Sequence, residues 1–190
     1  MQSKIDTTFQ TMQRDLFESG IVAAIGPNAF AVWQSIKAHA DFNTGEAWPG
    51  MRRIGEMTGL SLGAVHKAVD VLQVSHLLRV VTKGNRSRGS TYIARERMDV
   101  RLGDRVLCTI VIDYVPAKLR KTIEGIADAI QGDRTRPEAF ADCEIIPGDG
   151  FVWDAERGVL RASIKASEVP EGDAMSFPQI PSGAQGILLI

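Results

Sequence analysis

The 190-residue sequence lacks the features that mark several large classes of protein. It has no run of about 18 apolar residues, which excludes a membrane-spanning helix. The first twenty residues carry acidic side chains and lack an apolar centre, unlike a secretory signal, so we expect a cytoplasmic protein. Its two cysteines, Cys108 and Cys143, are far apart and lack paired-ligand spacing. Their wide separation in the sequence favours reduced thiols over a disulfide or a metal site.

Patterns typical of catalysis are scarce as well. Residues 59–63 fit the GxSxG motif of hydrolases, but that motif requires a strand before the serine. A helix is predicted there instead, so we expect Ser61 to cap the following helix. The three histidines form no HExxH pattern, and the acidic residues beyond position 140 lack the spacing of a calcium loop. We therefore expect no enzymatic activity, no cofactor and no metal.

The sequence does contain an uneven distribution of charge. Residues 1–98 carry 12 Lys and Arg against 8 Asp and Glu, a net charge of +4, whereas residues 99–190 carry 10 against 15, a net charge of −5. Within residues 50–98, nine basic side chains stand against three acidic ones. This excess favours a polyanionic partner, because neutralising phosphates releases counterions, although a solvated basic surface has the same composition. The change of sign predicts a basic module joined to an acidic one near Asp99.

Residues 51–70, MRRIGEMTGLSLGAVHKAVD, have the pattern of two short helices joined by a tight turn. Ile54 and Met57 repeat at the spacing of one helical face, and Gly59 suits a left-handed C-cap. Ser61 is a favourable N-cap for the second helix, in which an apolar stripe follows. The stripe comprises Ala64, Val65, Ala68, Val69 and Leu72. The outer face would then present Leu62, Gly63, His66, Lys67 and Asp70.

A basic hairpin is predicted directly after the second helix, with strands at residues 77–81 and 90–94 around a polar turn. The segment AHADFNTGEAWPG precedes the first helix, and GSTYIA forms the last strand. With these motifs, residues 36–94 resemble the winged helix-turn-helix domain of plasmid and phage replication proteins and related regulators. Where that family turns on a glycine before the Leu-Leu strand, this chain has His76. His76 must therefore adopt a positive φ, or the turn must shift by one residue.

The resemblance also implies which residues contact DNA, because such domains place the start of the second helix in the major groove. The candidates for contacts with base edges or nearby phosphates are Ser61, Leu62, His66 and Lys67. The candidates for contacts with the DNA backbone are Arg52 and Arg53 at the front of the first helix, and Lys83, Arg86 and Arg88 on the wing.

The predicted fold class is α+β. Residues 1–20 form an N-terminal arm or helix, residues 21–98 the winged helix DNA-binding domain, and residues 99–190 a small acidic α+β domain. The last domain is predicted to contain a strand at 105–113, a helix at 116–131, a strand at 143–146 and a hairpin at 151–164. Residues 187–190 are either a last strand or a partner contact. We expect the acidic domain to mediate self-association or to bind another protein.

These patterns predict a sequence-specific double-stranded DNA-binding protein of a plasmid, phage or other mobile element. It would act as a transcriptional regulator, such as a repressor, or as a replication initiator. We expect a homodimer, because two-fold symmetry doubles the DNA sequence that one recognition helix reads. The alternative is a protein-interaction adaptor whose winged helix does not bind DNA.

Overall fold

The structure is a computed structural model that describes residues 10–84, 89–132, 136–163 and 187–188. These residues contain both helices and strands, as predicted for an α+β protein. They divide into two compact units. The first comprises the described residues up to Met98 together with Val111–Ile123, and the second comprises Asp99–Ile110 and the described residues from Glu124 onward.

The described residues up to Met98 contain four helices. They are α1 (Asp15–Glu18), α2 (Ile21–Lys37), α3 (Met51–Thr58) and α4 (Leu62–Val74). Helix α2 is broken at Gly26, which has the non-helical angles φ 77 and ψ 167, and it restarts at Pro27, a residue that suits the first position of a helix. Helix α2 packs on α1, α3 and α4. The core between them holds Val32, Trp33, Ile36, Ile54 and Leu72, which are fully buried.

The strands of the first sheet are β1 (Glu46–Ala47), β2 (Leu78–Thr82), β3 (Thr91–Leu102), β4 (Arg105–Asp113) and β5 (Cys143–Pro147). Their order is β1-β3-β4-β5, and β2 also pairs with β3. Both β1 and β2 are antiparallel to β3 and pair with its first residues, so that Ile93 lies opposite both Glu46 and Arg79. The predicted hairpin after α4 is therefore present. Strand β3 nevertheless continues to Leu102, well beyond the predicted end at Ala94.

The second unit contains the remaining elements. After helix α5 (Leu119–Gln131), which begins in the first unit, come a 3-10 turn (Pro137–Phe140) and the strands β6 (Phe151–Asp154), β7 (Val159–Ala162) and β8 (Ile187–Leu188). Strands β6, β7 and β8 form a second antiparallel sheet in that order. Most of these elements match the sequence predictions, but α5 begins at Leu119 rather than Pro116, because residues 116–118 form a turn. In this unit, Phe140 packs edge-on against Trp153, with ring centroids 5.3 Å apart.

The chain passes between the units three times, after Met98, Ile110 and Ile123. The first crossing lies inside β3, so no linker separates the units at the charge boundary. Residues Val111–Ile123, which were predicted to lie in the acidic domain, belong to the first unit.

Both cysteines are free thiols. Cys108 is buried in β4 and Cys143 is half-buried at the start of β5. Burial, supported by nearby acidic groups, raises the pKa of each thiol to about 11. Neither forms a reactive thiolate at neutral pH.

Candidate nucleic-acid interface

A tight turn fixes α3 against α4. Gly59 ends α3 in the left-handed conformation, with φ 71, as the sequence predicts. The Ser61 hydroxyl oxygen then caps α4 by accepting a hydrogen bond of 3.3 Å from the Ala64 N–H. Gly55 lies where the chain crosses itself, since a Cβ there would be 2.8 Å from the Leu60 carbonyl oxygen. The direction of α4 is therefore set by residues on both sides of the turn.

Helix α4 has one buried face and one exposed face. Val65, Ala68, Val69 and Leu72 are at most 4% exposed. The opposite face carries Leu62, Gly63, His66, Lys67 and Asp70, all of them exposed. The division of the helix agrees with the sequence prediction, except that Ala64 is half-buried; in α3, Ile54 is buried while Met57 is exposed.

A shallow depression lies on each side of this exposed face. One, of about 550 Å³, lies between α2 and α4 and includes Asn28, Ser61 and Lys67. The other, of about 470 Å³, lies in front of α3 and is lined in part by Arg52 and Leu62. Successive residues of a helix are separated by about 100°, so Leu62 and the α4 residues of the first depression lie on opposite flanks of α4. The start of α4 is therefore a ridge with a basic side chain beside each flank.

The basic side chains differ in whether they are already paired. Among the described residues, Arg52, Lys67 and Lys83 are exposed and make no ion pair or hydrogen bond through their side chains. Arg53 lies 3.2 Å from Glu56 in an exposed pair of little energetic weight. Unpaired cations keep their full charge for an external anion. Arg86 and Arg88, also predicted to contact DNA, lie outside the described residues.

The hairpin is tied to α4 through the turn at His76. His76 has φ 59, so the first of the two predicted alternatives is confirmed. The Leu77 N–H donates to the Leu72 carbonyl oxygen at 2.8 Å, and the His76 N–H donates to that of Gln73 at 3.1 Å. This pattern is a Schellman motif, in which buried Leu77 follows the left-handed residue. Strand β2 therefore starts at a fixed angle to the end of α4.

The structure brings five of the predicted residues together around the start of α4 and places Asn28 beside them. Arg52, Ser61, Leu62 and Lys67 border the two depressions, while His66 lies on the ridge. Asn28 was not predicted: the Gly-Pro pair before it marks a helix start, but its position beside α4 depends on how α2 packs.

The described residues were also compared with the geometry of a hydrolase nucleophile, a metal site and a membrane-spanning helix. Ser61 follows a helix and a turn rather than a strand, and its hydroxyl caps α4, so the geometry of a hydrolase nucleophile is not formed. No group of three or more His, Cys, Asp or Glu side chains within the described ranges is arranged to hold a metal ion. Within those same ranges, no helix has the length and apolar character needed to cross a membrane.

Comparison with known proteins adds no relative: no family model, curated protein or solved structure matches this chain.

Proposed function

We propose that residues 36–94 form a winged helix-turn-helix domain and that the protein binds double-stranded DNA in a sequence-specific manner. Helices α3 and α4 would be the helix-turn-helix, α4 the recognition helix, and the hairpin β2–β3 the wing. The protein would act as a transcriptional regulator or a replication initiator of a plasmid, phage or other mobile element.

The observation that carries this proposal is the exposed face of α4. A short helix whose other face is buried on α2 and α3 displays Leu62, His66 and Lys67 to solvent. The B-DNA major groove is about 12 Å wide and an α-helix with its side chains measures about 10–12 Å across, so such a ridge fits the groove. The phosphate backbones border that groove on both sides. They would meet Arg52 on one flank and Lys67 on the other.

The wing and the second unit complete the proposal. Lys83 is exposed where the chain leaves β2, and Arg86 and Arg88 follow in the sequence. Cations at a hairpin tip contact the backbone or enter the minor groove. The second unit, which lies in the acidic part of the chain, would mediate homodimerisation or bind another protein. Excess negative charge disfavours a second DNA contact there.

Selection of bound sequences from random duplexes tests the proposal. We expect enrichment of one motif, bound far more tightly than unrelated DNA, with affinity that falls steeply as salt rises. The variant R86A/R88A should weaken binding to all duplexes and reduce the salt dependence by about one unit for each phosphate that is no longer neutralised. Absence of duplex binding at low salt would contradict the proposal and favour the protein-interaction adaptor.

The arrangement of the selected sites separates the two biological roles. A palindrome would indicate a two-fold symmetric dimer, and its position near the protein's own gene would support a repressor. Repeated direct sites near an origin would support an initiator.

A further inference from the structure

Leu62 differs from the core apolar residues of its helix. Leu62 is 46% exposed, whereas the four core residues of α4 are at most 4% exposed. It occupies the first turn, and it is the first residue after the Ser61 cap. Its apolar surface therefore contributes little to the core of the unit, although it stands at the tip of the proposed recognition helix.

The residues on either side of Leu62 have small side chains or none, so they do not cover it. Ser61 is small and its hydroxyl oxygen already accepts the capping hydrogen bond. Gly63 has no side chain, and a Cβ placed there would meet nothing within 4 Å. Leu62 also borders the depression that contains Arg52. At the start of α4, an apolar group therefore projects beside an unpaired cation that can hold a phosphate.

The major groove offers one apolar group that matches this arrangement. Three of the four bases present only hydrogen-bond donors and acceptors on that edge, whereas thymine adds its C5-methyl group. We infer that Leu62 packs on the 5-methyl group of a thymine while Arg52 holds an adjacent backbone phosphate. This inference rests on the proposed DNA binding and names the base that its recognition helix prefers. In an unmethylated duplex, thymine is the sole source of such a methyl group.

Replacement of single thymines by deoxyuridine in the selected duplex tests the inference, because uracil lacks only the methyl group. For the wild-type protein, we expect at least one position at which the replacement weakens binding about four-fold. That factor corresponds to about 0.8 kcal/mol for one buried methyl group. The variant L62A should bind the thymine and deoxyuridine duplexes at that position equally well. Because Leu62 is exposed, L62A should keep the thermal stability of the wild type.

Val74 provides the matched control, since it is an apolar residue at the other end of α4 with 81% exposure. V74A should show the same deoxyuridine effect as the wild type. The inference is overturned if no position is sensitive to deoxyuridine, if L62A keeps the wild-type sensitivity, or if V74A loses it. In each of these cases specific binding itself persists, so the proposed function stands. Failure of the wild type to bind any duplex would overturn both.

Discussion

The Lys37 Nζ lies 2.5 Å from the Glu96 Oε1, and both side chains are fully excluded from solvent. The same ammonium group donates to the Thr11 carbonyl oxygen at 3.0 Å. It also lies over the rings of Trp33 and Tyr114, 4.8 and 4.3 Å from their centroids. This ion pair joins α2, which supports the proposed recognition helix, to β3, which forms part of the proposed wing. It therefore links the two parts of the candidate interface.

Removal of the cation by Lys37→Met should destabilise the protein by about 3–5 kcal/mol at neutral pH, because it leaves a buried carboxylate unpaired. Burial already raises the pKa of Glu96 above its ordinary value of 4.5, against the opposing attraction of Lys37. Without Lys37 this pKa rises further. The folded protein then holds a proton that the unfolded chain releases, so the contribution of Glu96 to the free energy of unfolding is fully present below pH 4.5 and is lost as the pH rises through the raised pKa. Urea unfolding from pH 4 to pH 8 measures this.

The double variant K37M/E96L is the control for that series. Replacing both partners by apolar side chains of similar size removes the buried charge, so most of the original stability should return. The added pH dependence should also disappear. If K37M loses no more stability at pH 8 than at pH 4, the ion pair does not carry the stability assigned to it.

Gly55→Ala should destabilise the first unit by about 1–3 kcal/mol, the usual cost of forcing a methyl group into a packed site. The added Cβ would lie 2.8 Å from the backbone oxygen of Leu60, which cannot rotate away. Gly63→Ala is the matched control, because it adds the same methyl group to open space on the neighbouring helix. That variant should be as stable as the wild type or more stable by up to about 1 kcal/mol. Thermal melts of the two variants compare them, and equal effects would contradict the close approach at Gly55.

Local features of the sequence predicted the turn well, whereas contacts between distant residues could not be predicted. Gly59 and Ser61 each signal a helix end through their own conformational preferences. No comparable signal connects Lys37 with Glu96, which are 59 positions apart. The predicted end of β3 at Ala94 was too early for the same reason, because contacts with distant residues bury the charged side chains that follow. Charged residues from Arg95 onward resemble the end of a strand, but Glu96 pairs with Lys37 and Arg95 lies 3.4 Å from Asp113.

The candidate site was predictable to the extent that it depends on helical periodicity. The exposed and buried faces of α4 follow from spacing along one helix. The two depressions depend on how α2 and α3 lie beside α4, so Asn28 could not be assigned to the site from sequence. Spacing along α3 allows Glu56 to pair with either Arg52 or Arg53, and the structure shows that it pairs with Arg53.

His76→Gly should stabilise the protein by about 1 kcal/mol, because a left-handed conformation is unfavourable for a residue with a Cβ. The positive φ of His76 is required by the turn that joins α4 to β2. For a chain of this size, the melting temperature should rise by about 2–4 °C. His76→Ala should give no gain, since alanine has the same restriction. A gain of equal size in H76A would show that the effect does not come from the backbone.

The unpaired cations should dominate the non-specific part of DNA binding. Arg52→Ala and Lys67→Ala should each weaken binding to any duplex and lower the slope of log K against log salt by about 0.9, the value for one neutralised phosphate. Arg53→Ala should have a smaller effect, because Glu56 already offsets its charge. Arg157→Ala is the control, because it removes an exposed cation from the second unit. Anisotropy titrations at several salt concentrations measure all four slopes. Equal slopes for K67A and R157A would mean that the flank of α4 does not face the phosphates.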